Sequence, residues 1–101
     1  MRTAPIAPRL HLFVCANRRP PDSPLGPGCA DAGEAVYAAL KDEVVTRGRV
    51  TDVWVTKTQC IGICPREGAT VAVYPRGRIL TEVHAADARG LYAGAIAEEA
   101  P

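Results

Sequence analysis

The four cysteines of this chain, Cys15, Cys29, Cys60 and Cys64, stand in the spacing C-x13-C-x30-C-x3-C. A fold that uses them together has to bring Cys15 and Cys60, 45 positions apart, to one place. Four thiolates are enough for one [2Fe–2S] cluster or for one zinc ion. The last pair lies in the string TQCIGICPREG, Thr58 to Gly68, which can fold back on itself and aim both sulfurs at one metal.

A chain of 101 residues reads as one domain, residues 1–101, with residues 1–8 as a loose lead-in. A domain of this size buries roughly 60% or more of its unfolded surface, and an apolar fraction of 48% supplies a core. Metal or disulfide staples are not needed for folding, so the cysteines call for another explanation. The formal charge is +1, with arginine outnumbering lysine ten to two. That is not the basic excess of a nucleic-acid surface, and no nucleic-acid partner is expected. The opening MRTAPIAPRL lacks the apolar centre of a signal peptide and is broken by Pro5 and Pro8. No stretch approaches the ~18 apolar residues of a membrane span. A cytoplasmic location is expected, where cysteines bind metal or do redox work more often than they form lasting disulfides. The arginine- and alanine-rich composition fits a GC-rich bacterial genome.

Leu10 to Val14 reads as a buried strand ending at Cys15. Ala16 to Gly28, with four prolines and two glycines, reads as a loop. A helix is predicted over Asp31 to Lys41, capped by Asp31 with Glu34 three residues on, and with Ala32, Val36, Tyr37 and Leu40 on one face. Gly48 closes that region. Val50 to Thr56 reads as a second strand. Ala69 to Tyr74 and Arg78 to Val83 read as a hairpin around Pro75-Arg76-Gly77, and Ala85 to Glu99 as a last helix presenting Ala88, Leu91, Ala95 and Ile96 to the sheet. The order β-α-β followed by a hairpin and a helix is an α/β pattern. Its first part requires a parallel pair with a right-handed crossover.

Parallel neighbours put their carboxyl ends on one edge, the usual place for sites in open α/β sheets. Cys15 ends the first strand and Cys60 follows the second, so the two can meet. Cys29 returns with the helix it precedes, and Cys64 is close in sequence. Gly62 can turn its N–H inward toward a sulfur, and Ile61 and Ile63 can shield a metal or pack on a partner. At this level the cargo stays open among [2Fe–2S], structural zinc and a redox-active dithiol. C-x3-C falls within the spacing of a zinc knuckle, but Cys15 and Cys29 supply no second one. It is also not the C-x2-C of a dithiol oxidoreductase.

The strand running into C-x-N-R at Cys15 to Arg18, the Gly28-Cys29 pair, C-x-G-x-C-P at Cys60 to Pro65 and the V-x-V-Y-P-x-G hairpin from Val71 together resemble the thioredoxin-like [2Fe–2S] ferredoxins over about residues 10–98. The resemblance implies a thioredoxin-like fold, a mixed four-stranded sheet with two main helices and long cluster-binding loops. It implies one [2Fe–2S] cluster per chain, with Cys15 and Cys29 on one iron and Cys60 and Cys64 on the other. It further implies a homodimer that passes electrons between redox partner proteins. Four thiolates around two ferric ions and two sulfides carry −2, which takes the chain from +1 to about −1. His11 and His84 form no Cys–His pair of the kind a Rieske centre needs and read as structural or solvent-facing. Trp54 and Tyr74 read as strand packing. Arg18, Arg19, Lys57 and Arg66 flank the cysteines, either as ordinary surface charge or as a basic collar for an acidic partner. No acid–base pair or nucleophile set argues for catalysis, and the chain is not expected to be an enzyme.

Overall fold

The structure is a computed structural model that describes residues 1–99 apart from Pro21, Leu25, Pro27, Cys64 and Arg66, and only the backbone of Glu99. The chain runs β1 (Leu10–Cys15), α1 (Ala30–Thr46), β2 (Val53–Thr58), β3 (Ala69–Tyr74), β4 (Arg78–Val83), a 3-10 turn (Ala85–Asp87) and α2 (Ala88–Glu99). The sheet order is β2-β1-β3-β4. β1 and β2 are parallel, whereas β1/β3 and β3/β4 are antiparallel, so the sheet is mixed. No helix among the described residues is long and apolar enough to cross a membrane.

Alternation along β1 divides the sheet into two faces. Leu10, Leu12 and Val14 are fully buried and join Val36, Leu40 and Val44 of α1 with Tyr92 and Ala95 of α2 in one core. The opposite face carries His11 and Phe13, whose rings stack at 3.9 Å. Trp54 meets His11 edge-on at 5.6 Å, and Tyr74 meets Phe13 edge-on at 5.9 Å. Trp54 and Tyr74 are thus strand packing, but on the face the core does not use. Tyr74 stays 45% exposed, and Ile79, in register with Ala72 on that face, 39%.

Three element boundaries differ from the sequence reading. The first helix starts at Ala30 and runs to Thr46, longer at both ends than Asp31 to Lys41. Its N-cap is Cys29 rather than Asp31, with no side-chain cap bond, because the first turn is closed by the Gly33 N–H donating to the Cys29 carbonyl at 2.9 Å. The expected capping box does not form. Asp31 pairs with Arg18 and Glu34 with Lys57, so both carboxylates are drawn away by distant cations. The second strand begins at Val53 instead of Val50. Arg49 grips the Asp52 carboxylate through Nε at 3.0 Å and Nη2 at 2.6 Å, and this turn holds Val50 and Thr51 off the sheet. The last helix opens as a 3-10 turn, with the His84 N–H donating to Asp87 at 2.9 Å. Tyr92, not Leu91, is its buried large side chain.

Candidate metal centre

Cys15 is the last residue of β1 and is buried. Its register partner on the parallel strand β2 is Thr58, two positions before Cys60. The Ala16 N–H donates to the Thr58 carbonyl at 3.0 Å, extending the pairing beyond Cys15. The carboxyl ends of β1 and β2 therefore lie side by side, as the topology argument requires. Cys60 emerges there as an exposed residue.

Cys29 is buried at the start of α1. Two contacts tie it to the end of β1. The Ala30 N–H donates to the Asn17 carbonyl at 3.0 Å, which holds Ala30 at φ 38. That region costs a non-glycine residue roughly 1–2 kcal/mol, a local strain that the neighbouring bonds keep in place. The second contact is a close approach at Gly33. A β-carbon built there would lie 2.0 Å from the Cys15 carbonyl oxygen, so only glycine lets α1 rest against the strand end.

The loop after β2 is pinned from below. Thr70 is a fully buried polar side chain of β3, and its hydroxyl donates to the Ile63 carbonyl at 2.9 Å. Gly62, at φ +114, donates its N–H to the Cys60 sulfur at 3.3 Å, the inward orientation expected of it. Arg19 Nη2 donates to the same sulfur at 3.7 Å. Donors of this kind favour the charged, metal-binding form of a sulfur and raise the potential of a bound cluster. Among the described residues, no three His, Cys, Asp or Glu side chains are grouped as a site for a metal ion. Cys64 lies outside the described residues, and a [2Fe–2S] cluster draws only two thiolates to each iron. Two buried thiols and a third with N–H donors on its sulfur, at one sheet edge, are a donor set that suits such a group.

The flanking cations are mostly spoken for. Arg18 faces Asp31, and Lys57 lies 3.2 Å from Glu34 and 5.0 Å above the Tyr37 ring. Arg66 lies outside the described residues. Sequence reasoning missed Gly33, Thr70 and Asn17 as parts of the site. The signal for Gly33 was present, since an isolated glycine inside a helical pattern usually marks a close contact.

No family model matches the chain. A [2Fe–2S] ferredoxin of Clostridium pasteurianum is 31% identical over 72 residues, which cover 71% of this chain and 70% of that protein. The chain belongs to the thioredoxin-like [2Fe–2S] ferredoxin family. A [2Fe–2S] ferredoxin of Aquifex aeolicus is 39% identical over 70 residues, and the match spans 66% of this chain but only 60% of that relative's length. The solved wild-type thioredoxin-like [2Fe–2S] ferredoxin from Aquifex aeolicus superimposes with a TM-score of 0.79 at 29% identity, covering 94% of this chain and 92% of that one. The ferredoxin fold assigned from the motifs is thus the fold the molecule has, with both helices on one face of the mixed sheet.

Proposed function

We propose that this ferredoxin holds one [2Fe–2S] cluster on Cys15, Cys29, Cys60 and Cys64 and carries single electrons between redox proteins. The observation that carries the reading is that the carboxyl ends of β1 and β2 lie side by side, so that Cys15 ends one strand, the head of α1 with Cys29 is tied to it, and Cys60 follows the other strand with its sulfur accepting from the Gly62 N–H and the Arg19 guanidinium. When bound, such a cluster supplies a reversible one-electron step near the surface. The protein's own part is to place the thiolates, exclude water and set the local field. Cys15 and Cys29 do so from buried positions, at the end of β1 and the head of α1. Cys60 is exposed, which puts its half of the site where a partner can approach. A family of electron carriers favours a carrier over an enzyme. The thiols suit a reducing cytoplasm, where they persist as ligands.

The same reading includes a homodimer. Its support is the sheet face that no helix among the described residues covers, with the row Trp54, His11, Phe13 and Tyr74 and the neighbouring Ile79. Sedimentation of the purified protein should give twice the chain mass; a monomer at micromolar concentration refutes that part alone.

The deciding experiment is anaerobic purification with counts of iron, acid-labile sulfide and zinc and a visible spectrum. Two irons and two sulfides per chain in a brown protein are expected. A colourless zinc protein, or a metal-free one that reduces disulfides, refutes the reading. Cys60→Ala should remove the native chromophore and leave the fold.

A further inference from the structure

We propose that Arg19 raises the reduction potential of this site, by holding one guanidinium against both cysteine loops. The inference rests on the cluster reading above and names a positioning residue for it. Two adjacent arginines follow Cys15, and the structure treats them differently. Arg18 is 61% exposed and turned to Asp31, so its charge is offset by a carboxylate and screened by water. Arg19 is half-buried and turned inward. Its Nη2 donates to the Cys60 sulfur at 3.7 Å. Its Nη1 has less than 1 Å² of exposed surface and lies against the far end of Arg19's own loop, where a β-carbon on Gly28 would be 3.7 Å from it. Gly28 directly precedes Cys29. One side chain from the loop after Cys15 thus spans from the sulfur of Cys60 to the backbone beside Cys29.

The chemistry follows from charge. Reducing the site takes one electron from the reduced centre of a partner protein, which is oxidised by that electron. No bond is made or broken and no proton is taken up. The thiolate-bound group goes from −2 to −3. A fixed cation in contact with a ligand sulfur stabilises the more negative state, and partial burial leaves it less screened than a surface charge. A guanidinium is suited to this part because its fork reaches two places at once and because it never loses its proton in the working range.

The test is a redox titration of the purified holoprotein, followed by its visible spectrum, for wild type, Arg19→Gln, Arg19→Lys and Arg18→Gln. Counts of iron and sulfide on the wild type come first: if it holds no [2Fe–2S] cluster, the reading of the site fails. With the wild type loaded, Arg19→Gln should lower the equilibrium constant for one-electron reduction about tenfold, which is 59 mV. Arg19→Lys keeps the charge and should stay within about threefold of wild type, and Arg18→Gln within about twofold. The Arg19→Gln difference should not change with pH between about pH 6 and pH 9. A loaded Arg19→Gln protein with the wild-type potential overturns the inference and leaves the cluster reading intact. If Arg19→Gln does not load, Arg19→Lys decides: a wild-type potential supports the inference and a tenfold fall overturns it. Failure of both to load also overturns it, since Arg19 would then serve the folding of the loops.

Discussion

Replacing Gly33 by alanine sets two known effects against each other, and the structure says which wins. Alanine is the better helix former by about 1 kcal/mol, so on propensity alone the change in the first turn of α1 is stabilising. The geometry says otherwise. The new methyl would sit 2.0 Å from the Cys15 carbonyl oxygen and 2.9 Å from both the Cys15 carbonyl carbon and the Ala16 α-carbon. An ordinary carbon–oxygen contact is about 3.3 Å, so the helix has to withdraw by roughly 1.3 Å. Everything the methyl meets is backbone, so no side chain can swing aside. Overpacking of this kind costs about 1–3 kcal/mol, and a rigid contact on both sides puts Gly33 at the upper end. The net is a loss of about 2 kcal/mol, which lowers the melting temperature of a domain this size by roughly 10 °C.

The displaced turn carries Cys29, the N-cap of α1, away from Cys15, so the same variant should surrender iron to a chelator faster than wild type. The control is Gly94→Ala in α2, where a β-carbon meets nothing within 4 Å. There propensity acts unopposed, and the protein should gain up to about 1 kcal/mol. Circular-dichroism melts at one scan rate and iron-release time courses on the three proteins give the answer. If Gly33→Ala melts at or above the wild-type temperature while Gly94→Ala rises, the close approach does not hold the two thiols together and the reasoning is refuted.

Thr70→Val removes the donor to the Ile63 carbonyl and should cost about 1–2 kcal/mol in urea unfolding. It should also speed iron loss; unchanged release would free the cysteine loop from β3. Gly62→Val forces a β-branched residue into φ +114 and turns away the N–H on Cys60, lowering the potential by roughly 40 mV if one hydrogen bond of ~1 kcal/mol is lost. An unshifted potential in a fully loaded variant would show that this N–H has no part in tuning. Burial holds the His11 imidazole below its ordinary value of 6.5, so the unfolded chain takes up a proton first as pH falls. His11 therefore contributes stability above about pH 6.5 that is lost on acidification, and His11→Gln should flatten the fall in urea midpoint between about pH 8 and pH 5. Parallel profiles for the two proteins would reject the assignment.

The strands were legible because their signals are local. A short apolar run of β-favouring residues placed β1, the hairpin signal placed β3 and β4, and the crossover rule then put Cys15 and Cys60 at one edge. The start of α1 was not legible for a physical reason. Asp31 and Glu34 have the right types and spacing for a capping box, but Arg18 and Lys57 bind those carboxylates from 13 and 23 positions away. Likewise Val50 and Thr51 favour extended chain, and the fork between Arg49 and Asp52 overrides them. In each case a charge–charge contact displaced a propensity worth only a few tenths of a kcal/mol, roughly.

The site is therefore held by two separable causes. Strand register fixes Cys15 against Thr58, and with it the origin of the loop that bears Cys60. Backbone contact fixes Cys29 against Cys15, through Gly33 and through the Asn17–Ala30 bond. Register is set by the whole buried face of β1 and β2, so it changes only with the fold. The helix contact depends on a missing methyl group and can be lost while the sheet persists. Damage at Gly33 should thus open the inner pair of thiols first, leaving the register under Cys60 and the Gly62 N–H on its sulfur as they were.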